Sequence, residues 1–96
     1  MKLKILSSAV DDLYEGYHFY ERQRTGLGDY FFDSLFSDID SLLIYAGVHP
    51  LCLGHYRLLS RRFPYAIYYK LDADLVVVRR VLDVRRDPNY TRNALE

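Results

Sequence analysis

An α+β fold is expected from three observations: an N-terminal strand pattern, two consecutive helical patterns, and then a run of strand patterns. The last of these dominates. Residues 63–88, FPYAIYYKLDADLVVVRRVLDVRRDP, hold two apolar stretches around a short acidic break. Tyr65 to Tyr69 is nearly all aromatic or β-branched, and Leu75 to Val84 contains five valines. Such side chains favour a pleated backbone, and Leu71-Asp72-Ala73-Asp74 supplies the turn of a β-hairpin.

Ahead of that hairpin, Lys2 to Leu6 alternates and reads as a short strand. Ser8-Ala9-Val10-Asp11 has the spacing of a capping box, opening a helix over about Ala9 to Arg24. Val10, Leu13, Tyr17 and Tyr20 form its apolar stripe. Gly16 weakens that helix unless close packing requires it. Gly26 and Gly28 mark a turn. A second helix begins near Asp29, with Phe32, Leu35, Ile39, Leu42 and Ala46 as its stripe, widened by Phe31, Phe36 and Leu43. Asp33, Ser37, Asp38 and Ser41 fall on the wet face. Gly47 caps it and Pro50 prevents its resumption. Cys52 to Ser60 is a third strand region, with His55, Arg57 and Leu59 on one face and Tyr56 and Leu58 on the other. The tail after Pro88 reads as frayed or as a short turn. The expected architecture is one domain over residues 1–96: an N-terminal strand, a two-helix hairpin, then a three-stranded antiparallel meander with the helices packed on the sheet.

The formal net charge is zero, but residues 1–48 carry four Lys/Arg against eight Asp/Glu, and residues 49–96 carry nine against five. A neutral total argues against indiscriminate nucleic-acid binding, while a basic half suits a phosphate or an acidic protein segment. One cysteine, Cys52, permits no internal disulfide and fits a reducing cytoplasm. MKLKILSS is too short and charged for a signal peptide, and no apolar run suits a membrane span. His18, His49 and His55 are scattered, so neither a metal site nor a cofactor is expected, and no phosphate-binding glycine loop follows a strand.

The strongest polar constellation is Arg79, Arg80, Asp83, Arg85, Arg86 and Asp87, with Arg57, Arg61 and Arg62 nearby in the strand pattern. Alternation places Arg79, Val81, Asp83 and Arg85 on one face and Arg80 with Val78 and Leu82 on the other. Arginine forks suit a phosphate or carboxylate clamp; the same residues equally suit Arg–Asp pairs that stabilise the sheet end. Arg85 or Arg86 could stabilise a scissile phosphate, and Tyr90 could stack on a base or donate a proton.

Taken in order, Ala9 to Leu13, YERQRTGLGDYFFDSL, Pro50, YRLLSRRFPYAIYYKL and VVVRRVLDVRRDP resemble the RelE/ParE toxin superfamily, in its ParE-like plasmid-stabilisation branch. The resemblance covers nearly the whole chain. It implies the toxin half of a type II toxin–antitoxin module, neutralised by a cognate antitoxin in a hetero-oligomer and causing growth arrest when free. It further implies either a DNA gyrase inhibitor, as in ParE-like members, or a ribosome-dependent mRNA endoribonuclease, as in RelE-like members. By that pattern a nuclease would use Arg85, Arg86 and Tyr90, with His55 or Arg57 as helpers. Ala66 stands about where the nucleases carry an arginine, and Asp83 precedes the terminal RRDP where many relatives have histidine. The expectation is therefore a non-catalytic gyrase inhibitor. Its target- or antitoxin-binding surface would draw on Arg57, Arg61, Arg62, Arg79, Asp83, Arg85, Arg86 and Tyr90. The alternatives are the endoribonuclease and a non-toxic relative that only binds antitoxin.

Overall fold

The computed structural model describes all 96 residues, in the order β1 (Lys2–Ile5), α1 (Ser7–Gln23), α2 (Leu27–Asp40), α3 (Leu42–Tyr45), β2 (Leu51–Cys52), β3 (His55–Leu59), β4 (Tyr65–Asp72), β5 (Leu75–Asp83) and α4 (Pro88–Leu95). The five strands form one sheet ordered β1-β5-β4-β3-β2. β1 lies parallel to β5, with Leu3 opposite Val76 and Ile5 opposite Val78; every other pairing is antiparallel. The expected three-stranded meander is present as β3–β5. A two-residue β2 extends it through a tight hairpin in which Leu53 and Gly54 adopt positive φ.

The α1–α2 hairpin covers one face. Ala9, Leu13, Phe31, Leu35, Ile39, Leu42, Ile67, Tyr69, Val76, Val78 and Val81 are buried there. Gly16 is required by this packing: a Cβ on it would stand 2.5 Å from the Phe31 ring. Gly28 plays the matching role on α2, where a Cβ would press on Tyr17. Glu21 ties the turn by accepting from the backbone N–H groups of Gly26 and Gly28 at 2.9–3.1 Å. Gly47, with φ +95°, ends α3 as expected.

Four readings change. Helix α1 starts at Ser7, and Ser8 makes no capping box: its hydroxyl donates to the Arg79 carbonyl at 2.9 Å instead. Asp38 is buried rather than wet, because its Oδ2 accepts from the Ser60 hydroxyl (2.8 Å) and the Arg61 N–H (3.4 Å). Phe36 and Leu43 are exposed: the buried stripe is the narrower row of Phe31, Leu35, Ile39 and Leu42, and the two side chains lie beside it. The tail forms α4, which seats Leu95 on a second, smaller cluster with Ala66, Tyr68 and Leu82 on the opposite face of the sheet.

A β-bulge explains the remaining difference. Tyr68 pairs with Arg80 but Tyr69 pairs with Val78, leaving Arg79 without a partner on β4. The extra residue reverses the phase of alternation. Val76, Val78 and Val81 therefore share the helix-covered core, while Leu82 joins the α4 cluster. Arg80 does not share a face with Val78.

Candidate functional site

β1 stops at Ile5, so the edge of β5 beyond Val78 has no strand beside it. The first turns of α1 take its place. Ser8 binds the Arg79 carbonyl, and Asp12 Oδ2 accepts the Val81 N–H at 2.9 Å. Asp12 also receives the Arg80 guanidinium through two bonds, at 2.7 and 2.9 Å. Asp12 is buried at 8% exposure, so this pair is sheltered, and its hydrogen bonds raise the Arg80 pKa. At the strand's far end Asp83 holds Arg85 bidentately, at 3.1 and 2.8 Å. That contact, with the Arg85 N–H, keeps the Asp83 carboxyl below its usual range despite partial burial.

Arg86 reaches the opposite way. Its guanidinium stacks 4.4 Å over the Tyr90 ring and pairs with Glu15 at 3.2 Å. Three of the clustered arginines thus have carboxylate partners, two of which come from α1 rather than from the neighbouring sequence. Arg61 and Arg62 lie at the β3–β4 connection on the α2 side. Arg62 stands 6.0 Å from the centroid of the Tyr30 ring, and neither forms an ion pair.

The second face carries the open cationic ground. Beneath the N-terminal half of α4 lies a groove of about 320 Å³, with Arg57 from β3, Tyr68 from β4, Arg86 from the following loop, and Thr91 and Arg92 from α4 on its walls, and Cys52 and Leu53 at one side. No carboxylate lines it. Arg57 Nε donates to the Tyr68 hydroxyl at 3.2 Å, which orients the guanidinium without neutralising it. The arrangement can hold an anionic group or an acidic side chain. Asp87 fixes the groove's rim by accepting the Asn89 N–H at 2.8 Å, and Pro88 occupies the first turn of α4.

Among the residues named from sequence, Arg57 and Arg86 meet in this groove. Tyr90 and Asp83 face a neighbouring depression between α1 and β5, together with Arg86. His55 is buried at 2% exposure under the other end of α4, where Arg79 also lies. Arg85 faces neither place. Arg92 and Tyr68 belong to the groove and were not singled out. The Asp87-Pro88 start and the spacing of Tyr90, Ala94 and Leu95 are the signals that announce the helix carrying Arg92.

No family model matches this chain, and no curated protein does. Among solved structures, a chain of the chromosomal ParDE TA system from P. aeruginosa superposes with a TM-score of 0.74 at 19% identity, over 88% of this chain and 96% of that one. The fold is the RelE/ParE fold. The superposition extends over nearly all of both chains, so the helix hairpin and antiparallel sheet described above are shared as one unit. No helix of the chain is long and apolar enough to cross a membrane.

Proposed function

We propose that this chain is the toxin of a type II toxin–antitoxin module, that it inhibits DNA gyrase by protein–protein contact rather than by cutting RNA, and that a cognate antitoxin neutralises it. The RelE/ParE fold and the match to a ParDE chain support the module assignment. One observation supports binding over cleavage: the groups that phosphodiester cleavage would enlist face different places. His55 is enclosed with its Nδ1 on the Leu53 carbonyl at 2.9 Å, and Arg85 is held by Asp83. Arg86 shares one groove with Arg57 and the neighbouring depression with Tyr90, but neither place also holds His55 or Arg85, and Ala66, fully buried, offers no cation. General acid–base catalysis needs its donor and acceptor within hydrogen-bond reach of one substrate.

The antitoxin has two physical handles. The outer edge of β1 is unpaired, and an extended segment can add to it. The groove with Arg57, Arg86 and Arg92 attracts acidic side chains. The deciding experiment is a supercoiling assay with purified gyrase, the protein, and the small protein encoded beside it. Inhibition relieved by that partner is the expected result. Growth arrest with supercoiling untouched, accompanied by cuts in translated mRNA that vanish on replacing Arg57 and Arg86, would transfer the assignment to the ribosomal endoribonuclease.

A further inference from the structure

The C-terminal end of α4 roofs a second cavity, of about 140 Å³, walled by Ser8, His55, Arg79, Arg80, Ala94 and Leu95. It is separate from the Arg57–Arg86–Arg92 groove and shares no lining residue with it. His55 presents an unusual group here. Its Nδ1 faces the Leu53 carbonyl at 2.9 Å, so the ring hydrogen sits on Nδ1 and Nε2 is left as an acceptor. Nε2 is buried and has no partner. Buried polar atoms are ordinarily paired, so an orphan of this kind points to a missing ligand.

The surroundings specify that ligand's charge. Arg79 has no hydrogen-bond or ion-pair partner for its side chain, because only its carbonyl is used, by Ser8. Arg80 stands beside it, anchored to Asp12 and to the Ala94 carbonyl. No carboxylate lines the cavity. Burial, together with the positive charges of Lys70 and Arg79, holds the imidazole in its neutral form. The ligand must be an anion for the guanidiniums and must also donate a hydrogen to Nε2. Carboxylate and sulfate have none to give at neutral pH. A phosphoryl monoanion has both, P–O⁻ for Arg79 and P–OH for His55. The volume is well below the roughly 300 Å³ of a drug-sized site, which suits a single phosphoryl group.

We propose that this cavity binds a phosphoryl monoanion, as free phosphate or as a phosphomonoester, between Arg79 and the Nε2 atom of His55. The test is calorimetric titration of the full chain at about pH 6, where phosphate and methyl phosphate both keep a substantial monoanion fraction, at matched ionic strength with inorganic phosphate, methyl phosphate and sulfate. Phosphate is expected to bind at least tenfold more tightly than sulfate, and Arg79→Met to weaken it at least tenfold while leaving the melting temperature without phosphate unchanged. Methyl phosphate binding equally well identifies a phosphomonoester site; its exclusion identifies a free-ion site. Because replacing His55 could unsettle the fold, His55 is followed in the unaltered protein by nitrogen NMR, where phosphate should shift the Nε2 resonance. Equal affinity for sulfate, undiminished binding by Arg79→Met, or an unmoved Nε2 resonance would each overturn the proposal.

Discussion

The two faces of the sheet are built on different terms. The α1–α2 face is dry and aromatic: Phe31 contacts the rings of Tyr20, Phe63 and Tyr65 at 4.9–5.2 Å, and ten of its largest side chains are essentially inaccessible. The α4 face has a four-residue buried cluster, flanked at both ends of the helix by cavities lined with arginine. One face holds the domain together through apolar area removed from water. The other keeps polar groups beside cavities, where an incoming group can meet them. The thinner face, with four buried side chains against thirteen on the other, carries the candidate binding surfaces.

The sharpest way to break this contrast is to weaken each face in turn. Phe31→Ala should destabilise the domain by about 3–5 kcal/mol, read by denaturant unfolding, since it empties the aromatic centre. Asp12→Ala comes next. It strands the Arg80 guanidinium and the Val81 N–H, and because Arg80 is partly exposed the loss should fall at the lower end, about 2–3 kcal/mol. Gly16→Ala should cost about 1–3 kcal/mol through the Phe31 ring it strikes. Leu95→Ala should instead loosen α4 locally. Amide exchange in Pro88–Leu95 would rise while β4 and β5 stay protected, whereas global unfolding at the Phe31→Ala level would erase the distinction between the faces.

The smallest expected effect is the pH response of the Asp83–Arg85 pair. The folded carboxyl pKa is depressed, so the pair's contribution is present above the unfolded Asp value of about 3.9 and is lost as pH falls through the folded value. Arg85 is largely exposed, so solvent screening keeps that contribution small. Asp83→Asn should therefore lower stability slightly at pH 7, and the difference from the unaltered protein should shrink as pH falls through the folded Asp83 value, as measured by paired urea titrations.

Much of the fold was legible because its signals are local. Val76, Val78, Tyr69 and Ile67 announce strands by residue type, and Leu35 and Ile39 recur at the helical period. The site was legible only in part. Arg57 and Arg86 were found, but Arg92 was passed over because α4 is only eight residues long, too short to be stable alone, and draws its stability from docking on Leu82 and Tyr68. Arg80 lies with Leu82 as the alternation predicts but not with Val78, because the single unpaired residue Arg79 reverses the phase between them, and nothing in VVVRRVLD marks where a bulge falls.

The sequence by itself determined the element types, the helix hairpin, the β4–β5 turn and the charge asymmetry between the halves, all of which follow from neighbours within a few residues. Tertiary structure alone decided the partners. Asp12 and Glu15, about 70 residues from Arg80 and Arg86, pair with them because α1 runs along the strand edge that β1 leaves open, the Arg80 pair sheltered and the Arg86 pair exposed. Where α4 lies decided which arginines face a cavity. Long-range ion pairs and helix docking depend on distances between segments, and hydrophobic periodicity along one segment carries no record of them.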